Sequence, residues 1–270
     1  MVPIELKEQQ KILFGLLQYL HQLCEQHNLR YSLGGGTLLG AAKYHGFIPW
    51  DDDADIVMPR PDFIKLMEIL KRQHKYQVLD PQLPNYFYPY AKLIDPRTIM
   101  KTSYHFDRYH ELGVFVDIFP IDGIPSGKKQ QMFFLKKNHW LKERFLCSTP
   151  FYYSGTKWYT TLVKSIKLMP VHLIAKRQST NKWKRLLLAS MANYEFENSQ
   201  WSGIRLDEAG AEILPTGIFK NYTTLSFEGT QLNVIQDYKK VLTRVFGDYM
   251  ADYPRRRQRP CHHYLAYWRE

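Results

Sequence analysis

Residues 33–40 read LGGGTLLG and residues 50–55 read WDDDAD: three consecutive glycines and then, after a short gap, four carboxylates within five positions. Glycine loses more backbone freedom on folding than any other residue, so a triplet must supply something a side chain forbids, such as a positive φ or the close approach of another group. NLRYSL before it, residues 28–33, reads as a short strand. TLLGAAKYHG after it, residues 37–46, reads as a short helix with Gly46 past its end. A strand-to-helix turn of this kind is either an ordinary tight bend or a cradle that aims the N–H groups of Gly34, Gly35, Gly36 and Thr37 at an anion.

The acids extend the reading. DADIVMP, residues 53–59, is a strand pattern stopped by Pro59. On a strand Asp53 and Asp55 share one face, roughly 6.6 Å apart, with Asp51 on the same side and Asp52 and Ala54 facing away. Carboxylates this dense repel one another and are poor strand formers. A hard divalent cation is the natural compensation, Mg²⁺ or Mn²⁺, held by oxygen and sharing its shell with substrate phosphates. Asp51 is then a further ligand or a base. A calcium-hand loop fits poorly, because Asp51, Asp53, Asp55 and Asp62 would take positions 1, 3, 5 and 12 but Ile56 would replace the glycine at position 6 and Pro59 would fall at position 9. Further on, VFVDIFPID, residues 114–122, places Phe115, Asp117 and Phe119 on one face of a strand. A charge between two phenylalanines is costly unless paired or metal-bound, so Asp117 either completes the acid cluster or answers a buried Lys or Arg. Asp122, before Gly123, reads as a structural turn residue.

Around this centre, Ile12, Leu13, Leu16, Leu17, Leu20, Leu23 and Cys24 make residues 5–27 an amphipathic helix, and residues 60–75 a second one with Asp62 near its start. YQVLD (76–80) and YPYAKLID (88–95) are strand-like. The expected architecture is α/β (α+β), a mixed sheet flanked by helices, with a catalytic core over residues 1–125. Residues 126–215 read as a basic, aromatic-rich helical lobe with helical stretches at 128–146, 157–169 and 181–196. Residues 216–270 read as a segment packing back on the core, with a helix over 233–246 capped by Gly247.

The net charge of +11 is concentrated: between residues 128 and 190 stand fourteen Lys/Arg against one acid, Glu143. That predicts either a basic face for nucleic acid, anionic lipid or a polyphosphate substrate, or a solvated helix surface. Cys24, Cys147 and Cys261 are odd in number and in no metal-ligand spacing, which argues against a disulfide framework or a zinc knuckle and for a reducing compartment. No basic start with an apolar core opens the sequence and no apolar run approaches the ~20 residues that span a bilayer. The expectation is a cytoplasmic protein, at most peripheral at the inner face of the membrane.

Glycines after a strand, a helix, an Asp-x-Asp strand and an acid on a later strand form the pattern of the nucleotidyltransferase superfamily. More narrowly, YSLGGGTLLGAAKYHGFIPWDDDADIVMPRPDF (31–63), KLIDPRT (92–98), VFVDIFPIDGIP (114–125) and FGDYMADYP (246–254) resemble the LicD family of phosphocholine transferases, with the fukutin-type sugar-phosphate transferases as distant members. The resemblance runs from about Leu6 to His263, with a spacing from Gly36 to Asp53 longer than in most nucleotidyltransferases and with the first glycine position inside a triplet. It implies a nucleotidyltransferase-type fold and Mg²⁺-dependent transfer of phosphocholine from CDP-choline to a sugar hydroxyl of a teichoic acid precursor or surface glycan, releasing CMP. It implies metal on Asp53, Asp55 and Asp117, and Asp117 or Asp51 as acceptor of the hydroxyl proton. Phosphate contacts would come from Gly34, Gly35, Gly36 and Thr37, with Lys92, Arg97 and Lys43 as further contacts. A trimethylammonium group is held by aromatic faces, for which Trp50, Tyr86, Phe87, Tyr88, Tyr90, Tyr104, Phe106 and Tyr109 are candidates. The partners expected are CDP-choline, a lipid-linked or polymeric glycan acceptor and an anionic membrane surface contacted through the lobe and its Trp140, Trp158, Tyr159 and Trp183. Nucleic acid is not an expected partner, although a basic nucleic-acid-binding protein and a true nucleotidyltransferase are the competing readings.

Overall fold

Helix α1 (Leu6–Gln26) buries the stripe that the 3–4 spacing picks out, from Ile12 to Cys24, and adds one polar residue to it, Gln9. The computed structural model describes residues 1–84, 86–102, 112–149, 158–208, 211–252, 254, 258–260 and 264–270, the side chains of 102, 158, 159 and 161 excepted. After α1 come β1 (Ser32–Leu33), α2 (Gly35–Tyr44), β2 (Asp55–Pro59), α3 (Arg60–Leu70), β3 (Gln77–Leu79), β4 (Ala91–Ile94), β5 (Thr98–Thr102) and β6 (Phe115–Ile124). Helices α4 (Lys128–Cys147), α5 (Trp158–Ala175) and α6 (Thr180–Met191) follow. The chain closes with β7 (Trp201–Ile204), β8 (Glu212–Pro215), the hairpin β9 (Tyr222–Phe227) and β10 (Thr230–Ile235), α7 (Tyr238–Phe246) and β11 (Tyr264–Trp268).

Strand β6 organises the sheet. Its residues are buried along nearly its whole length, as in a strand covered on both faces. Its first half lies between β2, to which it is parallel, and β4, to which it is antiparallel; its last residues pair with β7, which carries β8. The sheet order is β1-β2-β6-β4-β3, while β9–β10 and β5–β11 form separate two-stranded pairs. The mixed α/β sheet with flanking helices is the one the sequence predicts. Leu16, Leu20, Leu33, Ile56, Leu93 and Ile118 from α1 and four strands meet in one core, to which the C-terminal segment adds Phe227, Leu232, Val234 and Ala266. A second cluster, including Ile124, Phe134, Phe145, Leu187 and Met191, docks α4 and α6 against the far end of β6.

Several elements differ from the sequence reading. Residues 233–235 are strand, not helix, because Leu232 and Val234 alternate inward across a two-residue turn in which Glu228 and Gly229 both have positive φ, the turn that suits a hairpin's twist. The helix proper spans Tyr238–Phe246 and is ended by Gly247 as expected. Helix α3 stops at Leu70, so the cations at 71–75 lie beyond its last turn. Asp122 sits inside β6 and not in a turn; its buried carboxylate takes two hydrogen bonds from the Arg60 guanidinium, at 2.7 and 2.5 Å. The helical part of the basic segment ends at Met191, and the β7–β8 hairpin that follows it joins the core sheet through β6.

Candidate active site

Gly34 caps α2 in an extended conformation and donates its N–H to the Asp55 carbonyl at 3.0 Å, while Gly35 takes φ +47°. A Cβ on Gly35 would stand 2.8 Å from Asp55 Oδ2, and one on Gly36 would stand 2.8 Å from Asp51 Oδ2. The triplet therefore meets both reasons a glycine run can have, positive φ and close approach, and the approaching groups are the carboxylates themselves. The Thr37 hydroxyl accepts the Asp55 N–H at 2.8 Å, locking β2 to the start of α2. Gly34 has no side chain to cap α2, and the N–H groups of Gly35, Gly36 and Thr37 lie in the first turn, where a helix offers no intrahelical acceptor.

The acids converge by a different route from strand alternation. Strand β2 begins only at Asp55, and residues 51–54 form a loop held from outside: Gln9 Nε2 donates to the Asp52 carbonyl at 2.6 Å and Gln10 Nε2 to the Asp51 carbonyl at 2.9 Å. One carboxylate oxygen from each of Asp51, Asp52 and Asp53 lies within 4.8 Å of the others. Asp52, expected to face away, is thus part of the cluster, because the pleat that would have turned it outward is not there. Gln9 and Gln10 were missed in the sequence; the available signal was a glutamine on the apolar face of α1, where a buried amide needs partners.

Asp117 arrives from β6 in parallel register with Asp55, and across the other edge Lys92 of β4 stands opposite it. The Lys92 ammonium bonds Asp117 Oδ1 at 2.6 Å and is itself buried. Asp117 thus answers a buried lysine and its charge bears on Asp55, whereas the converging oxygens among the described residues are those of Asp51, Asp52 and Asp53. Burial foremost, then the charges of Asp53, Asp117 and Asp51, hold the Asp55 carboxyl well above the usual carboxylate range, with Lys92 opposing. A group of hard oxygen donors this closely gathered suits a divalent cation.

Beside the acids lies a cavity of about 160 Å³ lined by Asp53, Asp117, Lys92, Tyr88, Tyr90, Phe115 and Tyr264. The Lys92 ammonium is 3.5 Å from the Phe115 ring centre and 5.1 and 5.3 Å from those of Tyr88 and Tyr90, so the rings already solvate one cation. Tyr264, from β11, packs edge-on to Phe115 at 5.7 Å and was not among the aromatic candidates. Burial pushes the Tyr90 phenol well above its ordinary value, with the nearby Asp117 charge adding to it, so Tyr90 remains a neutral ring. A larger cavity, about 580 Å³, also reaches Tyr264 and extends along Asp52, Gln9, Leu265 and Tyr267.

The other candidates lie elsewhere. Phe87 stacks on Phe145 in the lobe's core and Trp50 packs against Tyr44. Tyr104, Phe106 and Tyr109 fall outside the described residues, as do Cys261 and His263. Arg97 is exposed, clamps Asp95 at 2.6 Å, and sits beyond the end of β4 on the side away from Asp117. Lys43, at the far end of α2 from the glycines, donates to the Ala251 carbonyl at 2.5 Å and faces Asp252. Asp62 is engaged by Arg30 at 2.8 Å, which removes the last ligand of a calcium-hand loop.

The family model described as LicD/FKTN/FKRP, nucleotidyltransferase domain, matches residues 28–158. Over 274 aligned residues, covering 99 % of both chains, the protein is 30 % identical to the lipopolysaccharide cholinephosphotransferase LicD of Haemophilus influenzae (strain ATCC 51907 / DSM 11121 / KW20 / Rd). The chain belongs to the LicD family. As a LicD-family member it is a phosphotransferase. Uncharacterized proteins of Rickettsia prowazekii (strain Madrid E) and Rickettsia typhi (strain ATCC VR-144 / Wilmington) are similar over 58 residues at 43 % and 41 % identity, 22 % of this chain and 22 % and 19 % of theirs. The LicD domain match takes in α2, β2, β4 and β6, hence all five acids, Lys92 and the glycine turn, whereas Tyr264 and the helices from α5 onward lie outside it.

Proposed function

We propose that this LicD-family protein transfers phosphocholine from CDP-choline to a sugar hydroxyl of a cell-surface glycan, releasing CMP, with Mg²⁺ as cofactor. The observation that carries the reading is the 160 Å³ cavity, where the acid cluster forms one wall and four aromatic rings form the others. A quaternary ammonium favours aromatic faces, and its phosphate, a few ångströms away, would lie against Asp53 and Asp117. The adjoining 580 Å³ cavity has room for the nucleoside half of the donor.

Asp53, Asp55 and Asp117 would hold Mg²⁺, which when bound neutralises the diphosphate and the charge that develops on it. The protein's own groups do the rest. The amides of Gly35, Gly36 and Thr37, at the positive end of α2, orient the phosphate oxygens. The buried Lys92 keeps one oxygen of Asp117 occupied and fixes that side chain's orientation. With Asp117 Oδ1 so engaged, Asp51 is the carboxylate that takes the proton from the acceptor hydroxyl. Catalysis on this account is mainly positioning and preorganised charge. The acceptor is a surface glycan of the class named for the Haemophilus relative, a lipopolysaccharide, or a teichoic acid precursor.

The test is phosphorus magnetic resonance of a reaction containing CDP-choline, Mg²⁺ and a soluble fragment of each glycan. Free CMP together with a new sugar phosphodiester is the expected result, abolished in Asp53→Asn with the fold intact by circular dichroism. A CMP-linked acceptor would mean nucleotidyl transfer instead, and turnover undiminished in Asp53→Asn would overturn the site.

A further inference from the structure

Helix α5 turns its more apolar side outward. Leu162, Val163, Ile166, Met169, Leu173 and Ile174 are between 48 % and 65 % exposed. At 100° per residue they occupy an arc of about 140°. The opposite side docks the helix: His172 Nδ1 donates to the Cys147 carbonyl of α4 at 2.6 Å, and Trp183 of α6 donates to the Ala175 carbonyl at 2.9 Å. Six large apolar side chains exposed on one helix face exceed what a soluble monomer ordinarily leaves to water.

The charges around this stripe select its occupant. Lys167 borders it with Lys164 further round on the same side, Lys176 and Arg177 stand at its C-terminal end, and Lys182 and Arg185 are exposed on α6 next to the half-exposed Leu186. A second copy of the chain would bring one strongly cationic lobe against another, since residues 128–190 hold fourteen Lys/Arg to one acid. A nucleic acid would answer the charge but leave the aliphatic arc in water. An anionic bilayer answers both, with acyl chains for the stripe and headgroups for the cations. Among the described residues no helix is long and apolar enough to cross a membrane, so the contact is one of lying on the surface.

We propose that the outer face of α5, with its basic surround, is a docking surface for an anionic lipid bilayer, which goes beyond the transfer reaction and needs no substrate to be observed. The experiment is cosedimentation of the full chain with vesicles of phosphatidylcholine alone or with phosphatidylglycerol at about a third of the lipid. The expected result is at least tenfold tighter binding to the anionic vesicles, weakened by salt. The triple variant Leu162→Ser, Ile166→Ser, Leu173→Ser should lose at least tenfold of it while retaining its circular dichroism and its turnover on a water-soluble acceptor. Should that variant not fold, Ile166→Cys carrying an environment-sensitive fluorophore replaces it, and a blue shift on anionic vesicles is expected. Equal binding to both vesicles, unchanged binding by the triple variant, absence of the blue shift, a dimer in solution that buries the stripe, or duplex DNA bound in preference to vesicles each overturns the proposal. Loss of vesicle binding with turnover intact separates this surface from the transfer chemistry.

Discussion

Replacing Asp55 by Asn tests the electrostatic account of the site most directly. Asp55 carries its charge beside Asp53, Asp51 and Asp117, and Asp117 is already answered by Lys92. Two unit charges 4 Å apart repel by about 4 kcal/mol at an effective dielectric of 20 and about 1 kcal/mol in water. For a partly exposed loop and strand end, relief of the remaining repulsion is worth about 2 kcal/mol, or a rise in melting temperature of roughly 4–8 °C for a chain of this size. The sign with pH follows from the raised native value. Well below the ordinary carboxylate value of 3.8 Asp55 is protonated folded and unfolded, and the variant gains little. As pH rises from there through the higher native value, the unfolded chain releases this proton first, so the wild type loses stability; above it the full penalty stands. Melting curves in a chelator between pH 4 and pH 8 should show the variant's advantage growing with pH. Magnesium should reverse the order, since a ligand at a hundred times its dissociation constant contributes about 2.7 kcal/mol, and the wild type alone keeps the full ligand set. An Asn variant less stable than wild type in chelator at neutral pH, or raised by Mg²⁺ as much as wild type, refutes the reasoning.

Gly35→Ala should lose about 1–2 kcal/mol in urea unfolding and most of its turnover, because the new methyl meets Asp55 Oδ2 on a positive-φ backbone; wild-type turnover would show that the close approach is dispensable. Lys92→Met should destabilise by about 3–5 kcal/mol, since it strands the Asp117 carboxylate without its buried partner, and a denaturation midpoint equal to wild type would deny that pairing. Tyr90→Leu should raise KM for CDP-choline roughly two- to thirtyfold, from the ~0.5–2 kcal/mol of a cation–π contact, with kcat changed less; an unchanged KM would place the head group elsewhere.

The parts legible in the sequence were those governed by local period. The α1 stripe is where periodicity places it, because burial on one side enforces it, and the apolar run of β6 is the strand its composition predicts. The glycine turn was legible as a place needing close approach. What escaped was set by tertiary partners. Asp52 reads as outward-facing only if residues 51–54 are strand, and it is Gln9 and Gln10, more than forty positions upstream, that hold them as a loop. Tyr264 lay unread because YLAYW becomes a strand only against Thr98–Thr102, a pairing across some 160 positions with no local trace. Lys92 likewise reads as a surface cation until β4 is laid against β6.

The late arrival of β11 has a consequence for the order in which the molecule becomes competent. Acids, glycines and three of the four rings lie before residue 118, yet the last ring, Tyr264, emerges from the ribosome far later. A nascent polypeptide that has folded the sheet only as far as β6 leaves this recess open on the side that Tyr264 closes.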